Sequence, residues 1–355
     1  MRPLVTALVD TYNHERYIEQ TLASVLEQGL SPAELEIVVV DDGSTDKTPE
    51  IIRKFVPRVK HVRKKNGGQA SAFNAGFAES HGEIVATLDG DDLWERGKLA
   101  KVANALEEHH EVAAVGHGYY EFREETAERR IHVPQRRTTI SLASVEATRA
   151  AFVNWTFLLM GALTVRREVL ERIMPLPEDM VFMADTALQC AAMAMGTLIL
   201  DEPLFCYRHH KQNLYAIDPE NVTKLERKYR MTELVYDRAY QILTKLQVPD
   251  PSISELLTAS WLQARRARLQ RFGGNPLHTF QAEMRSFRRE CKDPSIRYRF
   301  FKYVIMGATT LVLPPQQFYK LRDWYARNDL GRYRDRLFKA DVTASTSPGK
   351  PPERV

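Results

Sequence analysis

The chain has 355 residues, 44% hydrophobic and 27% charged, which is globular composition with material for one large domain and an appendage. Fifty Lys and Arg against 46 Asp and Glu leave +4, too slight to mark the chain as a nucleic-acid binder, and no nucleic-acid-binding motif occurs. The three cysteines, Cys190, Cys206 and Cys291, are odd in number and far apart, which argues against a disulfide framework and a zinc site.

The N-terminus turns polar after Val9 and has no apolar stretch of signal-peptide length, so a cytoplasmic location is expected. Leu4 to Val9, Leu35 to Val40, Val59 to Val62 and Glu83 to Leu88 read as strands, three of them apolar enough to be buried on both faces. Helices lie between them. Ile18, Leu22, Val25 and Leu26 recur at helical spacing, Thr48 before Pro49 reads as an N-cap with proline at the first helical position, and Asn66-Gly67-Gly68-Gln69 opens a helix carrying Asn74 and Gly76. Strand, helix, strand repeated in this way predicts an α/β fold with right-handed crossovers and a mainly parallel sheet.

In such sheets ligands bind beyond the C-terminal strand ends. Beyond the first strand comes Asp10-Thr11-Tyr12-Asn13, beyond the second Asp41-Asp42-Gly43-Ser44-Thr45-Asp46, and beyond the fourth Asp89-Gly90-Asp91-Asp92. Two carboxylates 4 to 6 Å apart near a surface repel by roughly 3 kcal/mol at an effective dielectric of about 20, and a hard divalent cation is the usual remedy. Any one of these clusters is explained by a solvated turn. Three converging on one sheet edge point to a site.

Further along, Ala113 to Gly118 reads as a strand, Thr164 to Leu170 as a strand-to-helix passage, Ala184 to Ala194 as an apolar helix with Asp185 near its start, and Leu198 to Asp201 as a short strand. From Asn221 the pattern changes to long helical segments rich in Arg, Lys, Leu and Tyr. Arg265 to Lys302 carries eleven Lys or Arg against three acids, a local excess of eight. Basic residues beside aromatics at 297–303, followed by an apolar run to Leu313 too short to span a bilayer, suit a segment lying on an anionic membrane surface or a solvated basic face. The expected division is 1–215 for the catalytic domain, 216–340 for a basic helical region and 341–355 for a disordered polar tail.

No glycine stands in the turn from Asp10 to Arg16, which argues against a dinucleotide site, and no phosphate loop, H-E-x-x-H or G-x-S-x-G elbow occurs. What the chain does contain is TYNHERYIEQTLASVLEQ, then EIVVVDDGSTDKT, then NGGQASAFNAGFAESHGEIVATLDGDDLW. These runs, in this order and spacing, resemble the N-terminal half of the family 2 inverting glycosyltransferases with the GT-A fold.

That resemblance implies transfer of a sugar from a nucleotide-diphosphate donor, most often UDP-linked, to a hydroxyl of a cell-surface glycan or lipid-linked acceptor, with Mg²⁺ or Mn²⁺ bound. It implies that Thr11, Tyr12 and Asn13 line the nucleoside pocket, that Asp42 or Asp41 hydrogen-bonds the base, and that Asn74 joins the donor-binding set. Asp89 turns toward ribose or metal, Asp91 ligates the metal, and Asp92 lies behind them. MADTALQCAAMAMGTLILDEPLFCYRHH matches the layout that carries the catalytic base, which makes Asp185 the base, although Ala184 stands where relatives have Glu; Asp179 is the competing candidate. Tyr207, Arg208 and His210 resemble the family's Tyr-Arg-x-His, with Arg208 facing the diphosphate and His210 the metal. Asp10 stands where relatives generally have proline. Two other readings stay open, a non-catalytic relative that binds a nucleotide sugar and a metal-dependent nucleotidyltransferase.

Overall fold

The computed structural model describes residues 5–210, 213, 221–290 and 307–327. The first strand, β1 (Val5–Thr11), pairs in parallel with β2 (Leu35–Asp41) on one side and β4 (Ile84–Asp89) on the other, and β2 pairs in parallel with the edge strand β3 (Lys60–Arg63). Apolar and β-branched residues fill β1, β2 and β4, and nearly all are buried. Helices α1 (Ile18–Leu26), α2 (Thr48–Arg53) and α3 (Gln69–Ala78) make the crossovers. Thr48 is not the N-cap of α2: its N–H donates to Asp46 Oδ1 at 2.9 Å, and its hydroxyl accepts the N–H of His14. Gly76 answers to packing, because a Cβ there would lie 2.9 Å from Val40 Cγ2 and 3.0 Å from Leu8 Cγ.

Beyond β4 the sheet changes character. After β5 (Leu93–Trp94) and α4 (Lys98–Glu108), the long strand β6 (Ala114–Arg123) folds back as a hairpin with β7 (Glu128–His132); β8 (Thr138–Ile140), α5 (Val145–Asn154), β9 (Thr164–Arg166) and α6 (Arg167–Glu171) follow. The order is β3-β2-β1-β4-β9-β6-β10-β5, where α7 (Asp185–Ala194) precedes β10 (Thr197–His209). β9 runs antiparallel to both neighbours, so the sheet is parallel through β3-β2-β1-β4 and mixed overall. Periodicity predicts strands but not their direction when a short strand enters from a loop of 3₁₀ turns, as β9 does after Trp155–Leu158 and Met160–Ala162.

The first compact unit ends at Trp261, well past residue 215. The reason is apolar burial: Val235, Ala239, Ile242 and Leu243 of α8 (Val222–Lys245) belong to the same core as Ala187, Leu188, Ala191 and Ala192 of α7. In α9 (Asp250–Phe272) the apolar residues Ile253, Leu256 and Leu257 close that core. The second unit, from Leu262, has its own cluster of Leu269, Phe318 and Tyr319. Buried Glu283 of α10 (Pro276–Glu290) there accepts from Arg266 at 2.9 and 3.0 Å and from Arg322 at 3.1 Å. Among the described residues no helix is long and apolar enough to cross a membrane. The tail at 341–355 and the whole aromatic-basic stretch at 297–303 lie outside the described residues.

One buried cation stands apart from the site. Lys98 is fully buried, its ammonium nitrogen 3.1 Å from Thr164 Oγ1 and 4.1 Å from the centre of the Trp94 ring. Burial pushes its pKa well below the ordinary lysine value. A base whose folded pKa is depressed opposes folding below its unfolded pKa, so this cost fades as pH rises toward the ordinary lysine value of 10.5. Lys98→Met is therefore expected to raise stability at pH 7 by about 1–3 kcal/mol. Denaturant unfolding of both proteins at pH 7 and pH 10 checks this, and the gap is expected to narrow at the higher pH.

Candidate active site

The loops after β1 and β2 are sewn together. Asn13 takes a left-handed backbone with φ 57°, a conformation asparagine tolerates, and its Oδ1 accepts the N–H of Thr45 at 2.8 Å while its own N–H donates to Ser44 Oγ at 2.9 Å. Glu15 N–H donates to Asp46 Oδ2 at 3.0 Å, and Asp42 N–H to the Thr11 carbonyl at 2.9 Å. Thr11 is buried with its hydroxyl 3.1 Å from His14 Nδ1, whereas Tyr12 keeps 43% of its surface exposed. Of the three residues assigned to the nucleoside, Tyr12 presents an open ring.

Asp41 and Asp42 divide the work of the second loop. Asp41 is fully buried; its Oδ1 accepts the N–H of Ser44 at 2.8 Å, and Oδ2 is 3.3 Å from Arg63 Nε. Asp42 accepts the N–H groups of Gly67 at 3.0 Å and Gly68 at 2.7 Å and the Lys64 ammonium at 2.7 Å. Its carboxylate thus sits at the N-terminus of α3, where free N–H groups and the helix dipole favour an anion. Gly68 has φ +86°, and a Cβ there would come within 2.6 Å of Val181 Cα. That closeness lets Gln69 and Ala70 N–H bond the carbonyls of Val181 and Met180, docking the segment before α7 on the start of α3.

At the end of β4, Asp89 and Asp91 flank Gly90, whose N–H donates to the Asp10 carbonyl at 2.8 Å. A Cβ on Gly90 would lie 2.4 Å from Thr11 Oγ1, so glycine is required for this approach. Burial pushes the Asp89 carboxyl well above its usual range, and the charges of Asp10, Asp91, Asp92 and Asp185 push it further. Asp10 is raised in the same way, first by burial and then by Asp91. Asp92, 1% exposed, is raised by burial and Asp91. Asp91 differs: burial opposes its ionisation, but His14 and His210 outweigh it and hold the carboxyl low. His210 Nε2 is 3.0 Å and His14 Nε2 3.7 Å from Asp91 Oδ2, and the Tyr17 ring stacks on His210 at 4.2 Å.

Arg208 is held on all sides by the protein itself. Its Nε donates to the Asp91 carbonyl, Nη1 to Gln20 Oε1 at 2.6 Å and Nη2 to Thr21 Oγ1 at 3.3 Å, and its backbone N–H donates to Asp92 Oδ1 at 2.8 Å. The guanidinium is 4% exposed and fixes the backbone between the aspartates from below. Asn74 is likewise engaged within the protein: its amide exchanges two hydrogen bonds with the Leu176 backbone, at 2.9 and 2.7 Å. Both groups of that side chain are engaged in holding the 174–176 loop.

Asp185 begins α7. Its Oδ2 accepts from Gln189 Nε2 at 3.1 Å, and burial raises its pKa to about 6. Gln189 is oriented by Trp155, whose indole N–H donates to Gln189 Oε1, and by the Leu158 carbonyl, which accepts from Nε2 at 3.0 Å. Ala184 is buried and its N–H donates to Gln69 Oε1 at 2.8 Å. The rival Asp179 is clasped by Arg238, with Nε 3.1 Å from both carboxylate oxygens, in an exposed pair.

Sequence reasoning passed over His14, Tyr17 and Gln189, and noted Asp10 only as a polar strand end where relatives have proline. His14 and Tyr17 stand within the TYNHERY run, but nothing local says that they meet a strand end. Gln189 carried a legible signal, since it lies one helical turn after Asp185.

The donor set suits a hard divalent ion that brings part of its own coordination. Among the described residues no group of three His, Cys, Asp or Glu side chains is disposed to hold a metal by itself. Mg²⁺ is commonly bound by one or two carboxylates, with phosphate oxygens and water completing the shell. The crowding of Asp10, Asp89, Asp91 and Asp92, with Asp10 Oδ1 and Asp92 Oδ2 buried without hydrogen-bond partners, is what an added cation and ligand would relieve.

Residues 6–174 match the family described as Glycosyl transferase family 2. An uncharacterized glycosyltransferase of Nostoc sp. is 31% identical over 217 residues, covering 59% of this chain and 66% of the relative. The uncharacterized glycosyltransferase EpsJ of Bacillus subtilis is 29% identical over 255 residues, covering 67% of this chain and 71% of the relative. The chain thus spans about two thirds of the length of the Nostoc relative. Among solved structures, S. aureus TarS in complex with UDP superposes with a TM-score of 0.52 at 18% identity, covering 85% of this chain and 92% of that one, which establishes a shared fold.

Arg208→Ala would leave the Asp91 carbonyl, Gln20 and Thr21 without their donor and an apolar void beside the Tyr17 ring. It is expected to lower stability by about 3 kcal/mol. Thermal unfolding measures the loss. Arg208→Lys is expected to restore only part of it, since a single ammonium cannot reach three separated acceptors.

Proposed function

The chain belongs to glycosyl transferase family 2, and on that premise we propose that it transfers a sugar from a nucleoside-diphosphate donor to an acceptor hydroxyl with inversion, with Asp185 as the base. What supports this reading is that the charge of Asp185, at the start of α7, bears on Asp89 and Asp10 beside the Asp89-Gly90-Asp91 turn. Asp91 and Asp89, with His210 beside them, are the residues that would hold Mg²⁺ or Mn²⁺, which when bound with the diphosphate supplies Lewis-acid stabilisation of the charge on the departing group.

Asp185 takes the proton of the acceptor hydroxyl as that oxygen attacks the anomeric carbon. The bond from that carbon to the diphosphate breaks on the opposite face, its electron pair leaving on the phosphate oxygen. Gln189 keeps the Asp185 carboxylate in one orientation. A base with a pKa near 6 is mostly ionised at pH 7 yet accepts a proton readily, which suits the role. UDP is the donor nucleotide we favour, because TarS, which shares the fold, is known in complex with UDP. Tyr12 would stack on the base; Asp41 and Asp42 approach it from the second loop.

The acceptor we favour is a glycan or lipid-linked molecule at an anionic membrane surface. The second unit supports this: Leu311 and Val312 are 51% and 80% exposed just before Pro314-Pro315, Trp324 is 56% exposed, and the sequence around them is basic.

Asp185→Asn is expected to bind UDP with Mn²⁺ as the wild type does in calorimetry, while transfer falls about 10²- to 10⁴-fold. In the wild type kcat/KM is expected to drop tenfold per pH unit below about 6. A folded pKa above the unfolded one means that ionised Asp185 costs stability at pH 7, so Asp185→Asn should also unfold at a higher temperature. Near-normal turnover in this variant would remove Asp185 from the role. The membrane reading is checked by sedimentation with phosphatidylglycerol vesicles: Leu311→Glu with Val312→Glu is expected to abolish binding that the wild type shows at low salt, and absence of wild-type binding overturns it.

A further inference from the structure

Asp10 has no part in the chemistry described so far. It is nonetheless the residue that the site treats most like a ligand-binding group. In the β1–β4 register Asp10 stands directly opposite Asp89, and opposed residues of neighbouring strands present their side chains on the same face of the sheet. Its backbone is already used, since the carbonyl accepts the Gly90 N–H at 2.8 Å. Its carboxyl oxygen Oδ1 is buried and has no hydrogen-bond partner. A buried, unpaired carboxylate oxygen is costly, and nothing in the packing of β1 requires one. The neighbouring position on the same strand, Thr11, is a neutral hydroxyl already engaged with His14.

The surroundings limit what can fill this want. The charges that bear on Asp10 are those of Asp91, Asp42 and Asp185, all anionic, so its missing partner is a hydrogen donor or a cation brought from outside the chain. Two acceptor-rich side chains side by side on adjacent strands are spaced to receive two adjacent O–H groups, one each, as a vicinal diol offers. A nucleoside diphosphate carries such a diol on its ribose, between the base held at the β1 and β2 loops and the diphosphate at Asp91.

We infer that Asp10 and Asp89 together form the receptor for the ribose diol of the donor, with Asp10 taking one of the two hydroxyls. The inference rests on the glycosyltransferase reading and deepens it, naming Asp10 as a specificity residue for a ribonucleotide over its deoxy analogues. Where a donor-side hydroxyl meets a site built to accept it, its loss leaves the buried acceptor unpaired again, and that discriminates strongly.

The test is calorimetry on the full chain with Mn²⁺, using UDP, GDP, CDP and ADP, and the 2′-deoxy and 3′-deoxy forms of whichever binds. The wild type is expected to lose about 10- to 100-fold in affinity when either hydroxyl is removed. Asp10→Ala is expected to collapse one of those two ratios to below threefold while leaving the other in place. Asp10→Asn keeps the shape and removes a repelling charge, so it holds the test open if Asp10→Ala does not fold, and it should shrink the same ratio. Unchanged ratios in both variants overturn the inference while leaving the family reading intact. So does loss of Mn²⁺ binding without nucleotide, measured by electron paramagnetic resonance, if the ratios persist, since Asp10 is then a cation ligand. If the wild type binds none of the nucleotides, the glycosyltransferase reading fails and this inference with it.

Discussion

The mutual repulsion of aspartates brought to one sheet edge is the constraint around which the rest of the site is arranged. Asp10, Asp89, Asp91, Asp92 and Asp185 act on one another, and burial sharpens the effect by withholding water. The fold answers differently at each position. His14 and His210 offset the charge on Asp91, the Arg208 N–H bonds Asp92, and Asp89 and Asp10 are pushed toward their neutral forms. The result is a graded cluster in which Asp91 is held low while burial and neighbouring charge raise Asp10, Asp89 and Asp92.

Rigidity supplies the other half. Parallel β1, β2 and β4 end together, so their loops start from fixed points, and hydrogen bonds between Asn13 and Thr45, Glu15 and Asp46, and Asp42 and Gly68 close the loops on one another. The start of α3 then carries the segment before α7 through Gln69 and Ala70, and the charge of Asp185 at the start of α7 bears on Asp10 and Asp89. Two residues that look like ligand-binding groups are struts within this frame. Arg208 braces the aspartate turn from below, and Asn74 braces the 174–176 loop.

Much of this was legible before any coordinates. Alternation of β-branched runs with helical periodicity located β1, β2, β4, α1, α3 and α7 to within a residue or two, because short-range side-chain sterics and amphipathicity act along the chain. The polar strand ends were legible for the same reason. The partners of Arg208 and Asn74 are not legible in the sequence, because a side chain's destination depends on residues more than 100 positions away. The antiparallel insertion of β9 and the unit boundary at Trp261 escaped for a related reason: both depend on which apolar face finds which partner, and α8 looks from sequence like any other charged helix.

By itself the sequence determined which residue types end each strand and where the helices begin, since those follow from covalent spacing and local propensity. Tertiary structure decided which of those residues meet. It set Asp10 opposite Asp89, placed two imidazoles around Asp91, and turned Gln189 toward Asp185. Charges interact through distance and dielectric, and both are properties of the folded packing that no linear spacing contains.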